Sequence, residues 1–156
     1  MVRVMATGTF DIIHLGHIKY LEEAKTFGDE LVVVVAHDET VRKRKHNPIM
    51  SQEIRRKIVE SLKPVDRAVN GGTGDFLDIV EEIRPDVIAL GYDQDFDERD
   101  LENKLKERGL NVKIVRCSKY SEDDLNGTRR IIRKIADRLA SNELYLGEKH
   151  EKGRHS

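Results

Sequence analysis

Apolar and polar positions along the chain alternate between two periods. Val2–Ala6 and Leu31-Val32-Val33-Val34-Val35-Ala36 are short apolar runs, the second rich in β-branched residues, as strands buried on both faces require. Between them Ile18, Leu21 and Ala24 recur at helical spacing, and Gly28 closes that segment. Arg42–His46 reads as a basic loop after the second strand. Ser51 then opens a helix with Ile54, Ile58 and Leu62 on one face, stopped by Pro64. Arg67–Val69 is a short strand, Phe76–Ile83 a helix ending before Pro85, and Val87–Leu90 a strand closed by Gly91. Leu101–Arg108 is a helix with Gly109 just past its end. Val112–Val115 is the last strand, and Thr128–Leu139 is an amphipathic final helix.

Strand followed by helix, repeated along the chain, predicts an α/β domain with a parallel five-stranded sheet covered by helices on both faces. No internal repeat or Pro/Gly/Ser-rich linker divides it, so one domain is expected over 1–140, with a polar and partly disordered tail over 141–156. Open parallel sheets bind ligands beyond the carboxyl ends of their strands. The loops after Ala6, Ala36, Leu90 and Arg116 are therefore where chemistry is expected.

Composition narrows the function classes. Charged residues make up 37% of the chain, yet the formal net charge is -1, so a bulk nucleic-acid-binding character is not implied. The one cysteine, Cys117, cannot build a disulfide framework and reads as a partly buried, inert thiol, with a redox-sensitive thiol near the binding edge as the alternative. The opening residues lack the apolar stretch of a signal peptide, and no segment approaches the ~20 apolar residues of a membrane span. A cytoplasmic protein is expected, with neither nucleic acid nor membrane as partner.

The loop after the first strand reads Thr7-Gly8-Thr9-Phe10-Asp11-Ile12-Ile13-His14-Leu15-Gly16-His17. Glycines at a strand end let backbone approach a ligand closely. His14 and His17 stand where the first helix starts, and backbone N–H groups with the helix dipole favour anions there. Two imidazoles add directed donors. The same pair at i and i+3 could hold a metal or simply cap the helix, but no third ligand is evident beside it.

Gly-Thr-Phe-Asp followed by His-Leu-Gly-His resembles the signature of the nucleotidylyltransferase superfamily with the H-x-G-H motif. That superfamily includes glycerol-3-phosphate and phosphocholine cytidylyltransferases, phosphopantetheine adenylyltransferases and archaeal FAD synthases. The resemblance runs from Thr7 to about Ile135 and implies a Rossmann-like fold. It implies that His14 and His17 stabilise the triphosphate and the transition state. Thr9, Phe10 and Gly16 would line the nucleotide, and Asp11 would face the acceptor.

Other segments extend the likeness. Arg42-Lys43-Arg44-Lys45 falls where the family carries a mobile basic loop that contacts phosphates, so Lys43 is a candidate catalytic residue. Asp38 and Lys45 are candidate acceptor contacts. Taken alone, such a charge run is usually a solvated face. Arg55 in Glu53-Ile54-Arg55-Arg56 matches a family arginine that reaches a phosphate, against the plainer reading of an exposed arginine paired with a nearby glutamate. Gly91-Tyr92-Asp93-Gln94 resembles the family's G-x-D element, which places Asp93 near the ribose; a plain turn is the alternative. Asp124-Leu125-Asn126-Gly127-Thr128-Arg129 resembles the motif that binds the triphosphate at a helix start, with Gly127, Thr128 and Arg129 as contacts. Gly127 stands where the family has a serine, which removes one hydroxyl and keeps the N–H.

The chemistry is consistent with these residue types. A phosphate monoester, with a second pKa of about 6, is already ionised at neutral pH and needs no general base. Catalysis then reduces to aligning two anions and spreading charge at the α-phosphoryl group and the leaving pyrophosphate. A divalent cation, Mg²⁺, is expected on the triphosphate. Short stretches such as Gly28-Asp29-Glu30-Leu31 and Leu62-Lys63-Pro64-Val65-Asp66 resemble archaeal FAD synthases most, which implies ATP and FMN as substrates and a homodimer. A cytidylyltransferase using CTP and a polyol phosphate is the alternative, and a non-catalytic nucleotide-binding module a minor one.

Overall fold

A computed structural model of the protein describes residues 1–44, 46–120, 125 and 127–142. Lys45, Asp124, Asn126 and the chain after Asn142, which holds most of the expected tail, lie outside the described residues. The elements are β1 (Arg3–Gly8), α1 (Leu15–Lys25), β2 (Glu30–Val35), α2 (Asp38–Arg44), α3 (Gln52–Glu60) and β3 (Arg67–Asn70), followed by α4 (Phe76–Ile83), β4 (Val87–Leu90), α5 (Glu98–Glu107), β5 (Lys113–Arg116) and α6 (Thr128–Ala140).

All strand pairs are parallel, and the sheet runs β3-β2-β1-β4-β5. This is the expected Rossmann-like architecture. Because side chains alternate across a strand, each apolar run feeds two cores. Val4, Ala6, Val33, Val35 and Ala89 point to the face that α1 and α3 cover with Leu21, Ala24 and Val59. Met5, Val32, Val34, Ile88 and Leu90 point to the other face, covered by Val80 and Ile83 of α4 and Leu101 and Leu105 of α5. The strand order reverses between β1 and β4, so their carboxyl ends diverge into a crevice.

Four local readings change. The expected basic loop begins as helix α2, whose first turn carries Asp38 and Glu39 and whose last turn carries Arg42, Lys43 and Arg44. That charge order complements the helix dipole, and Val41 anchors the turn by burial. On α3 the buried positions are Arg55 and Val59; of the expected stripe Leu62 packs on the core and Ile58 is half-buried, but Ile54 is exposed. α5 starts at Glu98, three residues earlier than expected, because the Asp97 carboxylate caps it by accepting from Asp100 N–H at 2.9 Å. Finally, α6 is amphipathic but buries none of its residues, leaving Ile135 and Leu139 exposed.

Gly109 ends α5 as expected. Its φ of +77° is a left-handed conformation that suits glycine, and Leu110 N–H closes the turn onto Leu105 O at 2.9 Å.

Candidate functional site

The end of β1 is the hub on which the other loops converge. Gly8 leads into Phe10, whose φ of +54° is unusual for a bulky residue. The Phe10 ring is buried, lies 5.2 Å from His17 and stacks on Tyr20 at 6.5 Å. A Cβ at Gly8 would meet that ring at 2.9 Å, so glycine there is a packing requirement. Tyr20, reaching over from α1, donates its hydroxyl to Ala89 O of β4 at 2.6 Å and accepts from Thr7 N–H at 3.3 Å. Burial pushes its phenol well above the usual range, so it stays protonated and ties the two central strands together.

His14 is the N-cap of α1, and its backbone N–H donates to Nδ1 of His17 at 3.3 Å. The two imidazoles stack with centroids 3.8 Å apart. With Nδ1 of His17 accepting, a neutral ring carries its proton on Nε2. This pair sits at a helix N-terminus, where the dipole favours anionic ligands. Gly16 lies in the same first turn. The start of α6 is drawn to the same loop, since Thr128 Oγ1 donates to Ile12 O at 3.3 Å. Gly127 caps α6 without a side chain, and Arg129 is exposed in its first turn.

Arg55 requires a correction. Its side chain is fully buried, and its guanidinium is committed to protein groups. Nε donates to Met50 O at 2.9 Å, Nη1 to Thr9 O at 2.8 Å, and Nη2 to Asp38 Oδ1 at 2.6 Å. A side chain so enclosed cannot reach a phosphate; it ties the first loop, α2 and the α2–α3 connection together. The expected surface pairing with Glu53 belongs to Arg56, at 2.7 Å. Burial pushes the Asp38 carboxyl up, but hydrogen bonds from Arg55 and from Gln52 N–H, with the charges of Arg55 and Arg42, outweigh it and hold it low.

Asp11 and Phe10 also turn inward. Asp11 is 3% exposed, and its two oxygens accept from Ile49 N–H at 2.7 Å and Met50 N–H at 2.9 Å. Its carboxylate thus pins the connection before α3 instead of facing an acceptor, and only the backbone of Phe10 is available to a ligand. By contrast, Lys43 is exposed on the last turn of α2, and Asp93 is exposed in the loop after β4.

Two residues of the crevice were missed by sequence reasoning. Gln94 donates to Thr7 O at 2.6 Å and accepts from Gly91 N–H at 2.9 Å, closing the loop after β4 onto β1. Arg116, the last residue of β5, donates to the carbonyls of Gly91, Gln94 and Phe96. A polar side chain at or just past a strand end was the available signal, and it is a weak one.

Among the described residues no three His, Cys, Asp or Glu side chains group as metal ligands. Asp11, the carboxylate of the first loop, is already committed to the two backbone amides of Ile49 and Met50.

Residues 5–144 match the cytidylyltransferase-like family. The chain belongs to that family. Its cytidylyltransferase-like relatives include the FAD synthase of Aciduliprofundum boonei, 58% identical over 96% of this chain and 99% of the relative. The FAD synthase of Thermoplasma acidophilum is 56% identical over 88% of this chain and 96% of its own. Among solved structures, the lipopolysaccharide core biosynthesis protein of Thermoplasma volcanium superposes with a TM-score of 0.76 at 55% identity, covering 78% of this chain and 99% of that one. Pantoate-beta-alanine ligase of Francisella tularensis shares only the fold, with a TM-score of 0.52 at 15% identity over 79% of this chain and 60% of that one. In this cytidylyltransferase-like chain no described helix is long and apolar enough to cross a membrane.

Proposed function

We propose that the chain is an FMN adenylyltransferase: it transfers AMP from ATP to FMN, giving FAD and pyrophosphate. The observation that carries this reading is the His14–His17 pair at the head of α1, on the end of β1, in a chain 58% identical along nearly its whole length to an FAD synthase.

In the reaction, an oxygen of the FMN phosphate attacks the α-phosphorus of ATP. The new O–P bond forms opposite the bond to the β-phosphate bridging oxygen, which breaks and leaves with pyrophosphate. No proton need be removed from the attacking group. His14 and His17 donate to the α-phosphoryl oxygens and the bridging oxygen, where negative charge grows. Thr9, the Phe10 backbone and Gly16 line the nucleotide, and the N-terminus of α6 with Gly127, Thr128 and Arg129 receives the β- and γ-phosphates. Lys43 neutralises phosphate charge from α2, and Asp93 accepts from the ribose hydroxyls. On the acceptor side, Asp38 and Lys45 are the candidate contacts to FMN, with Lys45 outside the described residues. Asp11 and Arg55 act here as supports for the loops that carry these groups. Mg²⁺ on the triphosphate supplies further charge neutralisation when bound. The protein acts in the cytoplasm as a homodimer.

The test is pyrophosphate release with Mg²⁺, crossing ATP or CTP with FMN, glycerol 3-phosphate, phosphocholine and phosphopantetheine. Release with ATP plus FMN, with FAD appearing in step, is the expected result. Release only with CTP and a polyol phosphate would overturn the substrate pair while keeping the transfer chemistry.

A further inference from the structure

The loop from Gly91 to Phe96 is held from two sides. From inside, Gln94 ties it to the end of β1 at Thr7 O. From outside, one guanidinium collects three of its carbonyls: Arg116 Nη1 donates to Gly91 O at 2.9 Å and Gln94 O at 2.6 Å, and Nη2 to Phe96 O at 2.6 Å. Nε donates to Glu98 Oε1 at 2.7 Å, which joins the head of α5 to the same group. The base of this clasp is rigid, because Arg116 pairs with Leu90 in the sheet and Cys117 N–H continues the ladder onto Leu90 O at 2.7 Å.

Three carbonyl dipoles converging on one point repel one another unless a cation lies there. Arginine suits the position because its planar fork meets several acceptors at once, which a lysine ammonium does not. The clasp also fixes the path of the loop. With the carbonyls of Gly91, Gln94 and Phe96 turned to Arg116, the exposed residues Tyr92 and Asp93 are anchored on both sides. A loop at the β1/β4 reversal is thus held in one conformation before a ligand arrives, which lowers the ordering cost of binding.

We propose that Arg116 is a positioning residue for the nucleotide: it touches no reacting atom and acts by holding Gly91–Phe96 in the conformation that receives the nucleoside end of the triphosphate. The proposal rests on the nucleotidyl-transfer reading. It assigns Arg116 to nucleotide affinity, not to the chemical step.

The experiment compares R116Q, R116K and E98Q with the wild type by steady-state kinetics, thermal melting and hydrogen exchange of the 91–96 amides without nucleotide. R116Q is expected to raise KM for ATP about tenfold with kcat within about threefold, the mark of lost ground-state and transition-state binding alike. Exchange at 91–96 should quicken in step. R116K, which keeps the charge but not the fork, should fall between, and serves if R116Q does not fold. E98Q removes only the α5 ion pair and should keep KM within about twofold. A folded R116Q with wild-type KM for ATP overturns the proposal; if exchange is nevertheless faster, Arg116 is structural only. Should the wild type neither bind ATP nor release pyrophosphate, the transfer reading falls with it, and exchange alone decides whether Arg116 orders the loop.

Discussion

The backbone N–H of His14 donates to Nδ1 of His17 across one helical turn, and the two rings lie stacked with centroids 3.8 Å apart. The cap of α1 and the orientation of an imidazole are therefore set by one contact. A donor held this way needs no rearrangement when charge develops in front of it, which is how fixed donors lower a barrier.

His17→Ala should lower kcat by about a hundredfold to a thousandfold, the loss typical of removing one preorganised donor. ATP affinity should change far less. Parallel measurement of turnover and of ATP binding by calorimetry checks this. A kcat close to wild type in the folded variant would sink the catalytic role of His17.

Removing the buried guanidinium in Arg55→Met should destabilise the fold by about 3 kcal/mol, the lower end for breaking a buried pair, since Asp38 retains 25% side-chain exposure. The effect would be read as a shift in urea midpoint. Activity should also fall, because the first loop and the segment around Met50 lose their shared anchor. Unchanged stability would contradict the enclosure of this side chain.

The same pair sets an acid limb. Asp38 has a folded pKa below its ordinary value of 3.8, so its stabilising contribution is present above that value and is lost as pH falls through the lower, folded one. Asp38→Asn should melt earlier than wild type at pH 6. The gap should narrow as pH drops below about 4, where Asp38 of the unfolded chain takes up a proton before the folded carboxylate does. Melting curves from pH 6 to pH 2.5 test the sign; a gap that widens on acidification would reverse it.

Gly8→Val should cost both stability and turnover. Its first side-chain carbon would sit 2.9 Å from the Phe10 ring, and Phe10 already holds a left-handed conformation at the mouth of the site. Overpacking of this kind costs about 1–3 kcal/mol. Pairing it with Phe10→Leu should recover part of the melting temperature, and failure of that rescue would show that the clash lies elsewhere.

Cys117 should resist thiol reagents. Burial, with the Glu23 carboxylate close by, pushes its pKa up to about 12. Against the ordinary value of 9.0 that leaves about a thousandfold less thiolate near pH 8. Native protein should label with iodoacetamide at a small fraction of the rate in urea; equal rates would refute the buried assignment.

Periodicity and punctuation were enough for the sheet, its parallel sense and most helices. Runs such as Leu31–Val35 can satisfy only a strand buried on two faces, and Gly109 and Pro85 mark ends by backbone rules local to the residue. The histidines of the first loop were legible for a similar reason: a helix N-terminus is recognisable from its neighbours in sequence. What the sequence could not decide is which polar side chains face a ligand and which face the protein. Arg55 and Arg56 are adjacent and chemically alike, yet one is enclosed by Thr9, Asp38 and Met50 while the other pairs on the surface with Glu53. Asp11 and Asp93 both follow strand ends, but only Asp11 meets two unsatisfied backbone amides, those of Ile49 and Met50, 38 and 39 residues away. Those partners come from segments distant in sequence, and only the closed fold, which must satisfy every buried donor and acceptor, brings them into reach.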